Sequence, residues 1–396
     1  MKNVRIAKLA LIALCAIASL GTQTQESWGG RPSPPPPPPP VKFGMRLFSM
    51  PADYVGGSVD VQQINDLGEA VGRYSLPDDT RQPFYFNASS VSTVATNLND
   101  LPLDPDWAVP NGWYIQSALG INNLGDIVGK LAMISDPSRG RGFILELRPD
   151  PLGQTLLPRL HLIPDDTWNA TYARRINDMG DVLGACDSTT AYIYRAPLHG
   201  APGDVNVEIL PFGMWVWDAL MNNPTPSHGT QIVAWSDSLN APFRYTMETG
   251  NTEVLNLPIS GIRGLSDSGS FCGHQYIKRK DNPFYYDGSI HALTGASFGQ
   301  DINSDNDVLG EGNTGTNKPV LFHSEVGTLD LSKLVVASNS SEQQIWSNGY
   351  ANWSKLTERN IPGTDPAVAS FPAITGSIRT TTNYYWAYVL RPIPVQ

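Results

Sequence analysis

The sequence predicts an all-β chain folded as a β-propeller of seven four-stranded blades. Three observations predict it. One phrase recurs: residues 64–72 read INDLGEAVG, residues 121–129 read INNLGDIVG and residues 176–184 read INDMGDVLG. Each copy is followed by an aromatic or aliphatic strand and a further apolar segment, so a unit holds four candidate strands at a spacing of about 37–66 residues, the range of propeller blades. The last unit stops after its third strand, and an unattached strand at residues 43–51 (FGMRLFSMP) stands ready to supply the fourth.

The amino terminus comes before the fold. Lys2, Arg5 and Lys8 precede an apolar run at residues 9–20, too short to span a bilayer and followed by small residues suited to signal peptidase. Residues 1–21 therefore read as a secretory signal peptide, which implies a secreted or periplasmic protein. Cys15 raises a lipoprotein alternative, disfavoured because Leu14 stands where a small residue is wanted. Residues 22–42 form a linker with prolines at every position from 34 to 40; proline has no N–H and a fixed φ, so this stretch reads as a polyproline II spacer. Residues 43–396 are assigned to one propeller domain, with no transmembrane segment in the mature chain.

Each repeat reads as a hairpin. In unit one Asn65 opens a turn and Gly68, three residues on, occupies the slot needing positive φ. Unit two places Asn122 and Gly125 there, and unit three Asn177 and Gly180. Unit four is worn, with LMNN ending at Asn223 before a proline-containing insert. Unit five has Ser266 and Gly269, and unit six has Asn303 and Asn306, asparagine being the second-best residue for positive φ. Unit seven keeps only residues 357–360, an insert and a strand from Trp386. Six blades remain an alternative if unit four is an insertion. A glycine closes the second strand's apolar pair in six units (Gly72, Gly129, Gly184, Gly273, Gly310, Gly376), which reads as a strand crowded near the propeller axis.

The phrases SALGINNLGDIVG, PFYF and AYIY, and the stretch LNDLPLDPDWAVPNGW before unit two, resemble the HAF-type extracellular repeat of bacterial exported proteins. The resemblance spans nearly all of residues 59–390. This chain departs from it by replacing His-Ala before the aromatic strand and by losing the hairpin signature in units four and seven. It implies an exported β protein and carries over no catalytic residues.

Composition narrows the chemistry. A net charge of -10 argues against nucleic acid and anionic lipid as partners. Six histidines are scattered without the i, i+4 spacing of a helical zinc site, and no GxSxG elbow exists. No metal and no cofactor is expected. The acids Asp66, Asp126, Asp178, Asp181, Asp267 and Asp307 recur at the turns; a carboxylate ring for calcium or a basic partner is one reading, and turn residues bonding backbone the favoured one. Residues 304–313 hold only part of a calcium-loop pattern, and GLSDSG shares only a hairpin with the sialidase Asp-box. Cys186 and Cys272 fall two blades apart and are expected as buried thiols.

Trp113 and Trp168 occupy equivalent places before units two and three, and Trp346 lies in an unrepeated segment. These three are the candidate ligand-binding residues, as stacking platforms for sugar rings; packing between blades is the competing role. Unrepeated inserts at 102–116, 132–141, 274–283 and 337–352 are the candidate binding loops. The functional expectation is a monomeric, non-enzymatic exported module that binds an extracellular glycan or protein. The alternatives are a propeller hydrolase or lyase acting on extracellular polysaccharide, which requires two carboxylates converging in the central pocket, and a structural cell-surface repeat protein.

Overall fold

The computed structural model describes residues 41–147, 157–163, 172–186, 190–195, 206–213, 219–277, 280–312, 318–358, 361–381 and 384–395. The expected signal segment, the proline run and Trp168 lie outside the described residues.

Strands form where the repeat places them, because each Asn-x-x-Gly turn reverses the chain between two β-rich runs. Blade one consists of Val59–Ile64, Glu69–Ser75, Arg81–Asn87 and Thr96–Asn97, each antiparallel to the next. Five further sheets of four consecutive strands begin at Trp113, Tyr172, Leu220, Gly261 and Ala296. The worn fourth unit is thus a full blade, and the count is seven. The turn glycines take the expected backbone: φ is +79° at Gly68, +82° at Gly125, +85° at Gly180 and +85° at Gly269, with Asn306 at +63° in blade six.

Blade seven is built from both ends of the described chain. Tyr350–Leu356, Ile374–Arg379 and Tyr385–Pro394 supply three strands, and Val41–Phe48 pairs antiparallel with the last of them, from Val41 opposite Pro394 to Phe48 opposite Ala387. The closing strand starts two residues earlier than expected, because Val41 is the first residue after the prolines with an N–H to donate. Its outer edge is covered by Val335–Ala337 in parallel register, which leaves no open edge there.

The core lies between blades. Phe48 of the closing strand stacks on Phe86 of blade one at 4.2 Å between centroids, and both belong to a cluster with Val59, Tyr74, Phe84 and Val389. Between blades one and two, Val71 joins Ile115, Ile127 and Phe143.

The repeated glycine of the second strand has a different cause from crowding at the axis. The first strand carries a β-bulge in each of these blades, between Val61 and Gln63 in blade one and between Ala118 and Gly120 in blade two. The bulge turns a carbonyl toward the glycine, and the third-strand aromatic lies over it. A Cβ on Gly72 would sit 2.1 Å from the Asp60 carbonyl oxygen and 2.7 Å from the Phe84 ring.

The 337–352 insert contains a helix, Ser340–Asn348, that had no expectation attached to it. Its signal is local: Asn339 accepts from the Glu342 N–H at 2.9 Å, and Glu342 reaches back to the Ser338 N–H at 3.1 Å, a capping box without an apolar stripe to announce it. Among the described residues no helix is long and apolar enough to cross a membrane.

Strand alternation defines two ends. The Asn-Gly hairpins lie at one end; the second-to-third-strand loops and the blade-to-blade connections, including all four unrepeated inserts, start from the other.

Candidate functional site

The first strands line a central channel, and at its hairpin end they hold a cavity of about 100 Å³. Because the blades repeat, the lining falls into tiers counted from each turn-opening residue. The residue just before the turn is aliphatic in every blade: Ile64, Ile121, Ile176, Met221, Leu265, Ile302 and Leu356.

The residue just after the turn is Asp66, Asn123, Asp178, Asn223, Asp267, Ser304 or Glu358, and these join blade to blade. The Asp66 N–H donates to Asn123 Oδ1 at 2.8 Å, Asn123 N–H to Asp178 Oδ1 at 2.8 Å, Asp178 N–H to Asn223 Oδ1 at 2.7 Å and Asn223 N–H to Asp267 Oδ1 at 2.8 Å. In blade six Ser304 is too short to continue the series. Glu358, one methylene longer than Asp, spans the gap and accepts from both Asp267 N–H at 3.1 Å and Ser304 N–H at 2.8 Å. A parallel series links the turns themselves: Asn65 Nδ2 donates to the Asn122 carbonyl at 2.8 Å, and Asn122 Nδ2 to the Asn177 carbonyl at 3.0 Å.

The turn acids therefore divide into two kinds. Asp126, Asp181 and Asp307 accept from their own turn asparagine, at 2.9, 3.2 and 3.2 Å. Asp66, Asp178, Asp267 and Glu358 line the cavity mouth and clasp a neighbouring blade. Only the first kind fits the expectation of a turn bonding itself. Burial raises the pKa of Asp267 above its ordinary value, with like charge from Asp66 and Asp178 adding to it; burial and then Asp267 raise Glu358 further.

Two residues before the turn, the channel is charged differently. Arg175, Asp301 and Lys355 line the cavity floor. Lys355 Nζ is 3.7 Å from Asp301, whose other oxygen accepts the Leu356 N–H at 2.9 Å. Arg175 is 8% exposed, and its one hydrogen bond among the described residues is a long 3.5 Å contact to the Leu119 carbonyl. Burial lowers the pKa of both cations.

The tryptophans do not converge on this cavity. Trp346 is 1% exposed, packed edge-on to Tyr388 with Lys318 Nζ 5.2 Å from its ring centre. Its faces are occupied, so the expectation that it stacks on a ligand is corrected: it is a core residue of the last blade. Trp113 starts the first strand of blade two, half-buried, with the Arg141 guanidinium 5.8 Å from its ring centre. The exposed tryptophan of this region is Trp107, 42% exposed, its ring tilted by 44° against His161 at 4.5 Å, beside the outer strand of blade two. It lies within the 102–116 insert, so the segment was legible but the residue was not.

Seven blades of four antiparallel strands around a polar channel, the last completed by an amino-terminal strand and edged by a short parallel one, define a seven-bladed β-propeller. No protein-family model matches the sequence, and no curated protein matches it. Among solved structures, the β-propeller domain of the Trilobed protease from Pyrococcus furiosus is similar over 86% of this chain and 96% of its own, at 10% identity and a TM-score of 0.50. Puromycin hydrolase is similar over 89% of this chain at 12% identity and a TM-score of 0.48, and this chain spans 59% of its length. At such identity the likeness extends to the fold alone. The protease domain is described as an open velcro, whereas here Val41–Phe48 closes the ring.

Proposed function

We propose that this chain is an exported binding module whose ligand site is the channel cavity at the hairpin end, and that it performs no chemistry on what it binds. The observation that carries this is the state of the cavity's charged groups. The mouth carboxylates converge, as the enzyme alternative requires, but Asp178, Asp267 and Glu358 are held by backbone N–H groups of neighbouring blades and Asp66 accepts from the Asn123 side chain, while the floor cations keep donors to spare. A general acid or base has to exchange its proton with substrate; these carboxylates are instead fixed acceptors. Export rests on the signal-like residues 1–21 and the proline spacer.

The test is a thermal-shift screen of the mature protein against small charged and neutral solutes, followed by calorimetry and product analysis of any solute that stabilises it. One-to-one binding with the ligand recovered intact supports the proposal. Turnover of the ligand would make the protein an enzyme.

A second site is favoured by Trp107. Its exposed ring on His161, beside the Asp104–Arg159 ion pair at 3.2 Å, is suited to stacking on the apolar face of a sugar with polar groups at its rim. A glycan array read with wild type and Trp107→Ala decides it: signal lost at unchanged melting temperature supports a glycan platform, and an empty array removes it.

A further inference from the structure

The channel cavity is graded along its axis, and the grading specifies a ligand. At the mouth stand Asp66, Asp178, Asp267 and Glu358; next comes the tier before the turn, whose aliphatic side chains pack between blades; at the floor are Arg175 and Lys355 with the one carboxylate Asp301. Mouth and floor positions are three residues apart along the chain, the mouth residue lying in the turn just past the first strand, so they are separated by at most roughly 10 Å at ~3.3 Å per residue.

The floor has unmet demand. Arg175 presents a guanidinium of five N–H donors, and among the described residues it makes one long bond. Lys355 makes an ion pair at 3.7 Å with Asp301, beyond good hydrogen-bond distance. A buried cation without close partners is costly, so an anionic group brought to this floor gains directly. The acceptor Gln63 Oε1, which also faces this cavity, is buried without a partner among the described residues. At the mouth, crowded carboxylates that repel one another favour a cation between them.

We infer that the cavity binds a basic α-amino acid, of the arginine or lysine class, lying along the channel axis. This inference rests on the binding-module reading of the same cavity. The ligand's carboxylate takes the Arg175 fork and Lys355, its α-ammonium faces Asp301 and Gln63, its methylene stem runs past the strand backbone between the two tiers, and its side-chain cation reaches the carboxylates at the mouth. A simple anion is repelled at the mouth; a simple cation leaves the floor unsatisfied. The two charges must come on one molecule, separated by a stem.

The experiment is calorimetry on the mature protein at low salt with L-arginine and L-lysine, against agmatine and cadaverine, which lack the carboxylate, norleucine, which lacks the side-chain cation, and calcium and inorganic phosphate alone. Arginine or lysine should bind about tenfold or more tighter than its decarboxylated counterpart, the scale of a lost charge-assisted contact. Arg175→Gln should abolish that preference, weakening arginine while agmatine binds at least as well as before because a like charge has left the floor, a ratio that a folding defect does not mimic. Lys355→Met should erode the same preference and serves if Arg175→Gln is insoluble. Agmatine or calcium binding as tightly as arginine would overturn the inference but leave a channel-binding module standing. Phosphate binding alone would also overturn it. If no solute binds, both the inference and the channel reading fail.

Discussion

Two glycines four residues apart in blade two separate conformational cost from steric cost. Gly125 sits at φ +82°, and the nearest atom to an added Cβ is Glu69 Oε2 at 3.7 Å, ordinary contact. Gly125→Ala therefore meets only the left-handed backbone penalty, roughly 1–2 kcal/mol. At Gly129 the added Cβ would sit 2.0 Å from the Ser117 carbonyl oxygen and 2.9 Å from the Phe143 ring. Ser117 is part of the bulged strand and Phe143 is fully buried, so neither moves without disturbing the sheet. Gly129→Ala should cost at or beyond the upper end of the ~1–3 kcal/mol typical of overpacking. Gly68→Ala should fall between them, because its Cβ meets the Ile361 side chain at 2.9 Å in addition to a φ of +79°. Asn306→Gly goes the other way: it relieves positive φ and removes a buried Oδ1 that has no partner among the described residues, a gain of up to ~1 kcal/mol. Urea denaturation followed by tryptophan fluorescence gives the order. If Gly129→Ala is no worse than Gly125→Ala, the bulge-and-aromatic account of the repeated glycine is wrong.

Deleting residues 41–48 should abolish soluble folded protein, since Phe43 and Phe48 are fully buried and losing either ring alone costs ~3–5 kcal/mol; deleting 22–40 should leave the melting temperature unchanged, and equal behaviour of the two truncations refutes closure by this strand. Stability should fall as pH rises above the ordinary carboxylate range. Asp267 and Glu358 have folded pKa values above their unfolded ones, so the native state holds their protons more tightly and loses that advantage as pH climbs through the folded values; urea midpoints that rise over this window would refute it, and Asp267→Asn should flatten the slope. Cys186 and Cys272 are buried cysteines, and burial raises the Cys272 pKa well above its usual value, so maleimide should label neither in the native protein and both in denaturant.

What the sequence determined by itself is what local chemistry controls. Asn65, Gly68 and their counterparts specify a hairpin within a few residues, and counting hairpins predicts a seven-bladed ring closed by a strand from the amino terminus. The capping box at Asn339 and Glu342 was local too, but the helix it starts carries no apolar stripe to make it visible. Tertiary structure decided everything that depends on two blades meeting. Asp178 and Asp181 look alike in the sequence; one clasps the neighbouring blade at the channel mouth and the other accepts from its own turn asparagine. Trp346 and Trp107 both lie in unrepeated segments, and only packing made one core and the other exposed. Arg175, Asp301 and Lys355 come from three different blades, so their meeting in one cavity is written in no single repeat. A turn is set by neighbours along the chain, whereas a site at a propeller's axis is set by closing the ring, which brings together residues more than a hundred positions apart.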